Sequence, residues 1–217
     1  MNKNIILSVY LCLLAITSHA QKNKWEKDFD RYWDKAVFSF GVTASLPDYS
    51  ILTNGVSSIS AKPGVSFGIH YRTSLAKYFS LTMGAEFNQL QAAFHAEALT
   101  EPKYQLKESN ISIPLTVNPV LPIFRWLALT GELGVVYTHR IKSIIYTPTD
   151  EQNIAHSNKD KSAPFMRSDI AMRCGIGFRF GKYVEIIGEG NLGLLDMDNT
   201  GSQIYNRYGT VKTNFIF

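Results

Sequence analysis

The sequence is poor in cysteine and in long apolar runs, and each shortage excludes a class of protein. Among its 217 residues only Cys12 and Cys174 are cysteines. Cys12 lies in the apolar amino-terminal segment, so a chain without this segment keeps Cys174 alone and has no partner for an intrachain disulfide. Beyond that segment, no stretch approaches the ~20 consecutive apolar residues that a membrane-spanning helix needs.

Strong charge, metal-ligand spacing and phosphate-binding loops are missing as well. The formal net charge is +4, and this small, dispersed excess of bases is not typical of a nucleic-acid-binding protein. The histidines show no spacing to one another or to cysteine that is typical of a metal site. No glycine-rich loop connects a strand to a helix in the way that phosphate binding requires. We therefore expect no metal, no cofactor and no nucleic-acid partner.

The first 20 residues have the pattern of a secretory signal peptide. Lys3 supplies a positive start, residues 5–16 form a short apolar run, and Ala20 ends a small-x-small cleavage motif before Gln21. An exported chain without a spanning helix is either soluble outside the cytoplasm or a β-barrel of an outer membrane.

From residue 36 to residue 217 the chain alternates apolar and polar residues between turns. The clearest example is a hairpin whose first strand places Ile111, Ile113, Leu115 and Val117 on one face. Successive residues of a strand point to opposite sides of the sheet, so each such segment has an apolar and a polar face. The pattern predicts about eight strands, each near the ~9–11 residues that a tilted strand needs to cross a bilayer.

The predicted connections alternate in length. Short turns are predicted at 74–77, 119–125 and 181–183, and long loops at 47–64, 92–108, 141–164 and 196–208. Outer-membrane barrels have short periplasmic turns and long external loops. The chain is therefore predicted to be all-β, an eight-stranded antiparallel up-and-down transmembrane β-barrel.

The polar face distinguishes a membrane barrel from a soluble one. A soluble lipocalin-like barrel also has eight strands, but its interior is apolar and its outer face is polar and exposed to water. Here the polar series is rich in Gly, Ser, Thr and Asn, and its few charges balance one another. Small residues and paired charges suit a narrow, closed interior, so the apolar series is expected to face lipid. Aromatic residues near the short turns, such as Trp126 and Tyr183, are expected to form a periplasmic girdle.

Six interior charges are the candidate site residues. A three-residue turn at 181–183 pairs Phe180 with Val184, and the same register places Arg179 opposite Glu185. Neighbouring strands then predict one interior chain of ion pairs and one separate pair nearer the periplasm: Glu132–Arg173–Glu189–Lys212, and Arg179–Glu185.

Residues 21–35 are expected to form a separate periplasmic segment. Four aromatic residues recur in it with helical spacing: Trp25, Phe29, Tyr32 and Trp33. Charged residues lie between them, which predicts a short amphipathic helix that rests on the barrel mouth or at the membrane interface. A mobile amino-terminal arm is the alternative.

The strand pattern also carries a resemblance to a known family. The run Ile-Ser-Ile-Pro-Leu at 111–115, the Gly-Glu-Leu-Gly pattern at 131–134 and the aromatic Phe217 resemble the Bacteroidota outer-membrane β-barrel family, the porin-like or PorT-type group. The resemblance covers residues 36–217 and implies an outer-membrane location. It also implies that the strand ending at Phe217 is recognised by the barrel-assembly machinery. The functions of that family are mostly unassigned, so no active residue is carried over.

The expected function is that of a non-enzymatic outer-membrane barrel with a narrow, filled lumen, which acts through its external loops or as a scaffold of the envelope. Its expected partners are outer-membrane lipid and the assembly machinery. Catalysis on lipid would need a serine, a histidine base and an acid in contact. His139 with Ser143 is the candidate pair, and no acid is placed to orient it. The alternatives are a PorT-type secretion component or lipid-modifying enzyme, and a soluble periplasmic lipid-binding barrel.

Overall fold

A computed structural model of the chain describes residues 35–45, 48–49, 58–95, 104–146, 151–153, 168–195 and 204–217. The expected signal peptide at 1–20 lies outside the described residues. So does the expected amphipathic helix or arm at 21–35, except for Lys35, which begins the first strand. Within the described ranges, no helix is long and apolar enough to cross a membrane.

Most of the described residues lie in strands. The long strands are β1 Lys35–Ser45, β3 Ser58–Ala76, β4 Phe79–His95, β5 Tyr104–Phe124, β6 Leu127–Tyr146, β8 Ser168–Phe180, β9 Val184–Gly193 and β11 Arg207–Ile216. The short strands are β2 Asp48–Tyr49, β7 Glu151–Asn153 and β10 Ile204–Tyr205. β7 pairs with the end of β6, and β2 pairs with β10 in a separate small sheet.

The long strands close into a ring. They pair in the order β5-β4-β3-β1-β11-β9-β8-β6, and β5 also pairs with β6. All of these pairings are antiparallel, including that of β1 with β11, the first and the last of the long strands. Long strands that follow one another in the chain are thus neighbours in the ring, which defines an up-and-down barrel. The expected all-β, eight-stranded antiparallel barrel is confirmed.

Burial alternates along each long strand in the sense of a membrane barrel. In β8, Ala171 and Arg173 are buried, whereas Ile170, Met172 and Ile176 are exposed. The other long strands repeat this arrangement, with apolar side chains outside and Ser, Thr, Asn and charged side chains inside. A soluble lipid-binding barrel has the opposite arrangement, so the outer face of this ring is the one that suits lipid.

Several connections are shorter than the sequence pattern predicts. β5 continues to Phe124, so the break expected at 119–125 is reduced to a turn of two residues. A register shift after Pro122 accommodates the proline near the strand end. At the other rim β4 runs to His95 and β6 to Tyr146, which corrects the loops expected to begin at 92 and 141. Outward residues become polar there, so the apolar alternation disappears although the backbone pairing continues.

This extra length divides the ring into two walls. β3, β4, β5 and β6 have 19, 17, 21 and 20 residues and form the tall wall. β1, β8, β9 and β11 have 11, 13, 10 and 10 residues and form the short wall. The short turns all lie at one rim, so the tall wall projects from the opposite rim, which is the external one. At that level it buries Leu90, Phe94, Leu106 and Ile145.

Aromatic side chains gather at the rim of the short turns. Trp126, Tyr183 and Phe217 are exposed there. The rings of Phe217 and Phe38 meet edge to face with centroids 5.7 Å apart, and Trp126 stacks on Phe124 at 6.2 Å. Aromatic rings of this kind mark a membrane interface in outer-membrane barrels, and short turns mark its periplasmic side.

Candidate functional site in the lumen

Five charged side chains from five strands meet at mid-height in the lumen. This middle cluster consists of Glu86, Glu132, Arg173, Glu189 and Lys212, from β4, β6, β8, β9 and β11. Each residue occupies an inward position of the alternating pattern, and none is more than 7% exposed. The middle cluster therefore connects the tall wall to the short wall across the interior.

Arg173 lies at the centre of the middle cluster. Its Nη1 and Nη2 donate to Oε1 and Oε2 of Glu86 at 2.8 and 2.7 Å, and its Nε donates to Oδ1 of Asn191 at 2.8 Å. The same guanidinium lies 3.5 Å from a carboxylate oxygen of Glu132 and 3.5 Å from one of Glu189. A guanidinium presents five donors in a rigid, planar fork. One arginine can therefore hold three carboxylates and an amide at the same time.

Lys212 approaches the same carboxylates from β11. Its Nζ lies 2.6 Å from Oε2 of Glu189 and 3.1 Å from Oε1 of Glu86. Oε2 of Glu132 is 3.6 Å from the same nitrogen. Three carboxylates thus face two cations in a space closed to solvent, and buried charges are tolerated when they are paired and hydrogen-bonded in this way.

The structure brings the four residues of the expected interior chain together. Glu132 contacts Arg173, Arg173 contacts Glu189, and Glu189 contacts Lys212. The arrangement is a cluster and not a linear chain, because Lys212 also reaches Glu132. Sequence reasoning misses the role of Glu86, although the alternation places this residue inside. Its contacts cross the lumen to strands 87 and 126 residues away, and the pairing of sequence neighbours does not reveal such contacts.

A second group of charges lies nearer the periplasm and is called here the lower cluster. Arg72 of β3 donates from Nη1 and Nη2 to both oxygens of Glu185 of β9, at 3.1 and 3.0 Å. Asn214 adds a third hydrogen bond to Glu185 at 2.8 Å. Arg179 is aligned with Glu185 in the β8–β9 register, as the turn predicts, and its Nη2 donates to the backbone oxygen of Lys182 at 3.2 Å. Arg72, which sequence reasoning does not assign to this carboxylate, is its bidentate partner.

A third group lies nearer the external rim. The Nε of Arg140 is 3.2 Å from Oε1 of Glu108, and the hydroxyl of Ser143 donates to the same oxygen at 3.0 Å. All three side chains are buried. Charged pairs thus occupy the lumen at three heights, and an eight-stranded barrel encloses a space just wide enough for side chains.

The lumen contains a serine, a histidine and a glutamate in contact, but not in the geometry of a catalytic triad. Nε2 of His70 lies 2.9 Å from Oγ of Ser39 and 3.5 Å from Oε1 of Glu86. In a triad the acid holds the nitrogen opposite to the one that faces the serine, whereas here both partners contact the same nitrogen. His70 is also only 5% exposed, so its ring is closed off from solvent.

The candidate pair of His139 with Ser143 does not form. Ser143 points into the lumen toward Glu108, because the strand is irregular between the two residues and the backbone register shifts there. Nδ1 of His139 instead lies 3.2 Å from Oγ of Ser168, which also contacts the hydroxyl of Tyr137 at 3.0 Å. No carboxylate of the described residues is bonded to His139, so nothing there supplies the third member of a triad. Nor do the described residues contain a group of three side chains able to hold a metal ion.

Comparison with known proteins finds similarity in structure only. No family model and no curated protein matches the sequence. Ail, the attachment invasion locus protein of Yersinia pestis, matches with 15% identity and a TM-score of 0.41, over 85% of this chain and 99% of that one. OprG from Pseudomonas aeruginosa matches with 11% identity and a TM-score of 0.43, over 85% and 96%. Neisserial surface protein A matches with 8% identity and a TM-score of 0.45, over 84% and 97%.

The architecture of the chain itself assigns its location. Eight antiparallel strands form a closed ring with an apolar outer face, an aromatic rim at the short turns and a polar interior. A closed β-barrel leaves no backbone group unpaired toward lipid, which is why barrels can cross membranes. This combination is that of outer-membrane barrels, and the chain is an outer-membrane β-barrel protein.

Proposed function

We propose that the protein is a non-enzymatic, non-conducting outer-membrane barrel that serves as a scaffold and presents its tall wall outside the membrane. The observation that carries this proposal is the middle cluster. In it, Arg173 and Lys212 of the short wall donate hydrogen bonds to Glu86 of the tall wall. Side chains that bridge the lumen at mid-height leave no continuous path for ions or solutes. A barrel without a path through it acts through its surfaces.

The tall wall is the surface that suits this role. It continues past the short wall at the external rim with paired backbone and its own buried side chains, among them Phe94 and Leu106. Such a projection can hold a partner rigidly at a fixed height above the membrane. The resemblance of the strand pattern to the porin-like and PorT-type group of the Bacteroidota supports the same proposal. A secretion apparatus is one assembly in which a rigid scaffold of this kind would serve.

Planar-bilayer recording of the purified protein tests the proposal. We expect no large, steady conductance from wild-type protein whose folded state is verified by a shift in gel mobility on heating. The double variant Arg173→Ala with Lys212→Ala removes both cations of the middle cluster and is expected to raise conductance if it stays folded. A steady conductance of porin size from the wild-type protein would show that the lumen is open, and the proposed scaffold role would fail with it.

A further inference from the structure

The lipid-facing side of the barrel contains an apolar groove where the tall wall meets β1. Its volume is about 430 Å³, and it lies around Ala85 of β4. Larger apolar side chains border it: Phe38, Phe67, Ile69, Phe87 and Ile111. Phe67 and Phe87 stack with centroids 5.0 Å apart, which fixes the upper edge of the groove. The groove exists because a small side chain stands where its neighbours are large.

Above the groove, the outward residues of the same strands become polar and basic. The row that pairs Phe87 with Ile111 is the last apolar one on β4 and β5. The next outward row pairs Gln89 with Ser109, and the row after it aligns Lys62, Gln91 and Lys107.

These residues surround a second hollow. It has a volume of about 260 Å³, and Lys62, Gln91, Gln105, Lys107 and Tyr146 line it. Lys107 and Tyr146 are exposed. The two lysines stand two strands apart, about 10 Å at the usual spacing between strands, with amide and hydroxyl groups between and above them.

The hollow lies close to the outer edge of the headgroup layer of the external leaflet. Four residues separate Phe87 from Gln91, which is about 13 Å along a strand. A strand tilt of about 40° reduces this to a height of about 10 Å. The polar region of a bilayer adds about 5–8 Å on each side of the hydrocarbon core, so the hollow lies just beyond the outer edge of the headgroup layer, with the groove below it in hydrocarbon.

The described part of the short wall shows no counterpart. Its described strands end close to the membrane, and Arg207 is the one basic residue described at its external end. Apolar residues such as Leu192 and Leu194 are exposed at the same end. A basic hollow directly above an apolar groove is therefore a feature of the tall wall.

We propose that the tall wall binds one membrane lipid of the external leaflet that has an anionic phosphate headgroup. The phosphate lies between the ammonium groups of Lys62 and Lys107, and Gln91, Gln105 and Tyr146 donate hydrogen bonds to its oxygens. An acyl chain descends into the groove and packs on Ala85. The proposal rests on the barrel lying in a membrane, but it is independent of whether the lumen is closed.

The test is native mass spectrometry of protein released from phosphatidylcholine nanodiscs that contain lipid A, a phosphorylated glycolipid. Wild-type protein is expected to retain one lipid A molecule. The variant Lys62→Gln with Lys107→Gln is expected to bind it about 25-fold more weakly, since each lysine near an anionic surface contributes about fivefold. Ala85→Phe fills the groove and is expected to reduce retention as well, while Lys62→Arg with Lys107→Arg keeps the charge and retains the lipid.

Two matched variants control for general effects of substitution. Lys77→Gln removes a lysine at the periplasmic rim, and Ile176→Phe enlarges a lipid-facing residue of the short wall; both are expected to retain lipid A as the wild type does. Equal retention by the Lys62→Gln, Lys107→Gln variant would overturn the proposal, as would equal retention of phosphatidylcholine. Displacement of lipid A by soluble glucosamine 6-phosphate would indicate a site for a free phosphate and would also overturn it. The conductance of the wild type is recorded separately, so an open lumen and an absent lipid site are distinguishable results.

Discussion

The two walls of the barrel both span the membrane, but only the tall wall extends well beyond it. The strands of the short wall have 10 to 13 residues, close to the ~9–11 that a tilted strand needs to cross a bilayer. The strands of the tall wall have 17 to 21, so about half of their length has no such requirement. The bilayer therefore determines the length of one wall, and side-chain contacts outside it must stabilise the rest of the other.

Charged contacts across the lumen hold the walls together where they run side by side. Glu86 of the tall wall binds Arg173 and Lys212 of the short wall, and Arg72 of the tall wall binds Glu185 of the short wall. The tall wall thus supplies the anion at mid-height and the cation in the lower cluster. Because backbone pairing connects each strand only to its neighbours, such side-chain contacts link opposite sides of the ring directly.

The largest expected effect follows removal of the link at mid-height. Arg173→Met should lower the free energy of unfolding by about 3–5 kcal/mol, since it leaves three buried carboxylates with Lys212 as the one remaining cation of the cluster. The measurement is the temperature at which the folded form, identified by its gel mobility in detergent, converts to the unfolded one. Met172→Ala, one residue away on the lipid-facing side, is the matched control and should change this temperature little.

A double variant tests whether the loss of stability comes from the pairing of Arg173 with Glu86. Arg173→Met combined with Glu86→Gln should cost less than the sum of the two single changes, because the second change removes the charge that the first leaves unpaired. Strict additivity would mean that the two residues do not stabilise the barrel as a pair.

A smaller effect is expected at the lower cluster. Arg72→Met should cost about 1.5–3 kcal/mol, the range for hydrogen bonds to charged groups, because Asn214 still donates to Glu185 and Arg179 is still aligned with it. The two clusters are four residues apart on β9, about 13 Å along the strand. Arg72→Met and Arg173→Met should therefore be additive within about 0.5 kcal/mol in the same heating assay; strong coupling would show that the clusters form one unit.

Substitutions in the part of the tall wall that lies outside the membrane should cause local opening and not unfolding of the whole ring. Phe94 is 0% exposed there, and Phe94→Ala should open the extension locally, since local unfolding needs less free energy than unfolding of the ring. We expect faster proteolysis at the external ends of β4 and β5, with a smaller change in the heating temperature than Arg72→Met causes. A loss of heat stability as large as that of Arg173→Met would mean that the extension and the ring unfold together.

The sequence predicts the short wall better than the tall one, and the reason is physical. A two-residue period and a tight turn are local features, so the faces of β8 and β9 and the alignment of Arg179 with Glu185 follow from residues 170–194 alone. The extension of β4 to His95 escapes prediction because apolar alternation marks contact with lipid, not the strand itself. Glu86 and Arg72 escape assignment for another reason: their partners are brought near by closure of the ring, which no pair of sequence neighbours encodes.

The smallest expected effect lies in the turn that joins β8 to β9 in the short wall. Gly181 has φ +58°, a left-handed conformation that costs an L-residue with a Cβ about 1–2 kcal/mol. A Cβ built there meets nothing within 4 Å, so Gly181→Ala should cost about 1 kcal/mol from backbone strain alone. Gly181→Asn should cost less, since asparagine tolerates this conformation, and Lys182→Ala in the same turn should be neutral. The heating assay orders the three variants; equal costs for alanine and asparagine would show that the turn changes its conformation, and the alignment of Arg179 with Glu185 would then have another origin.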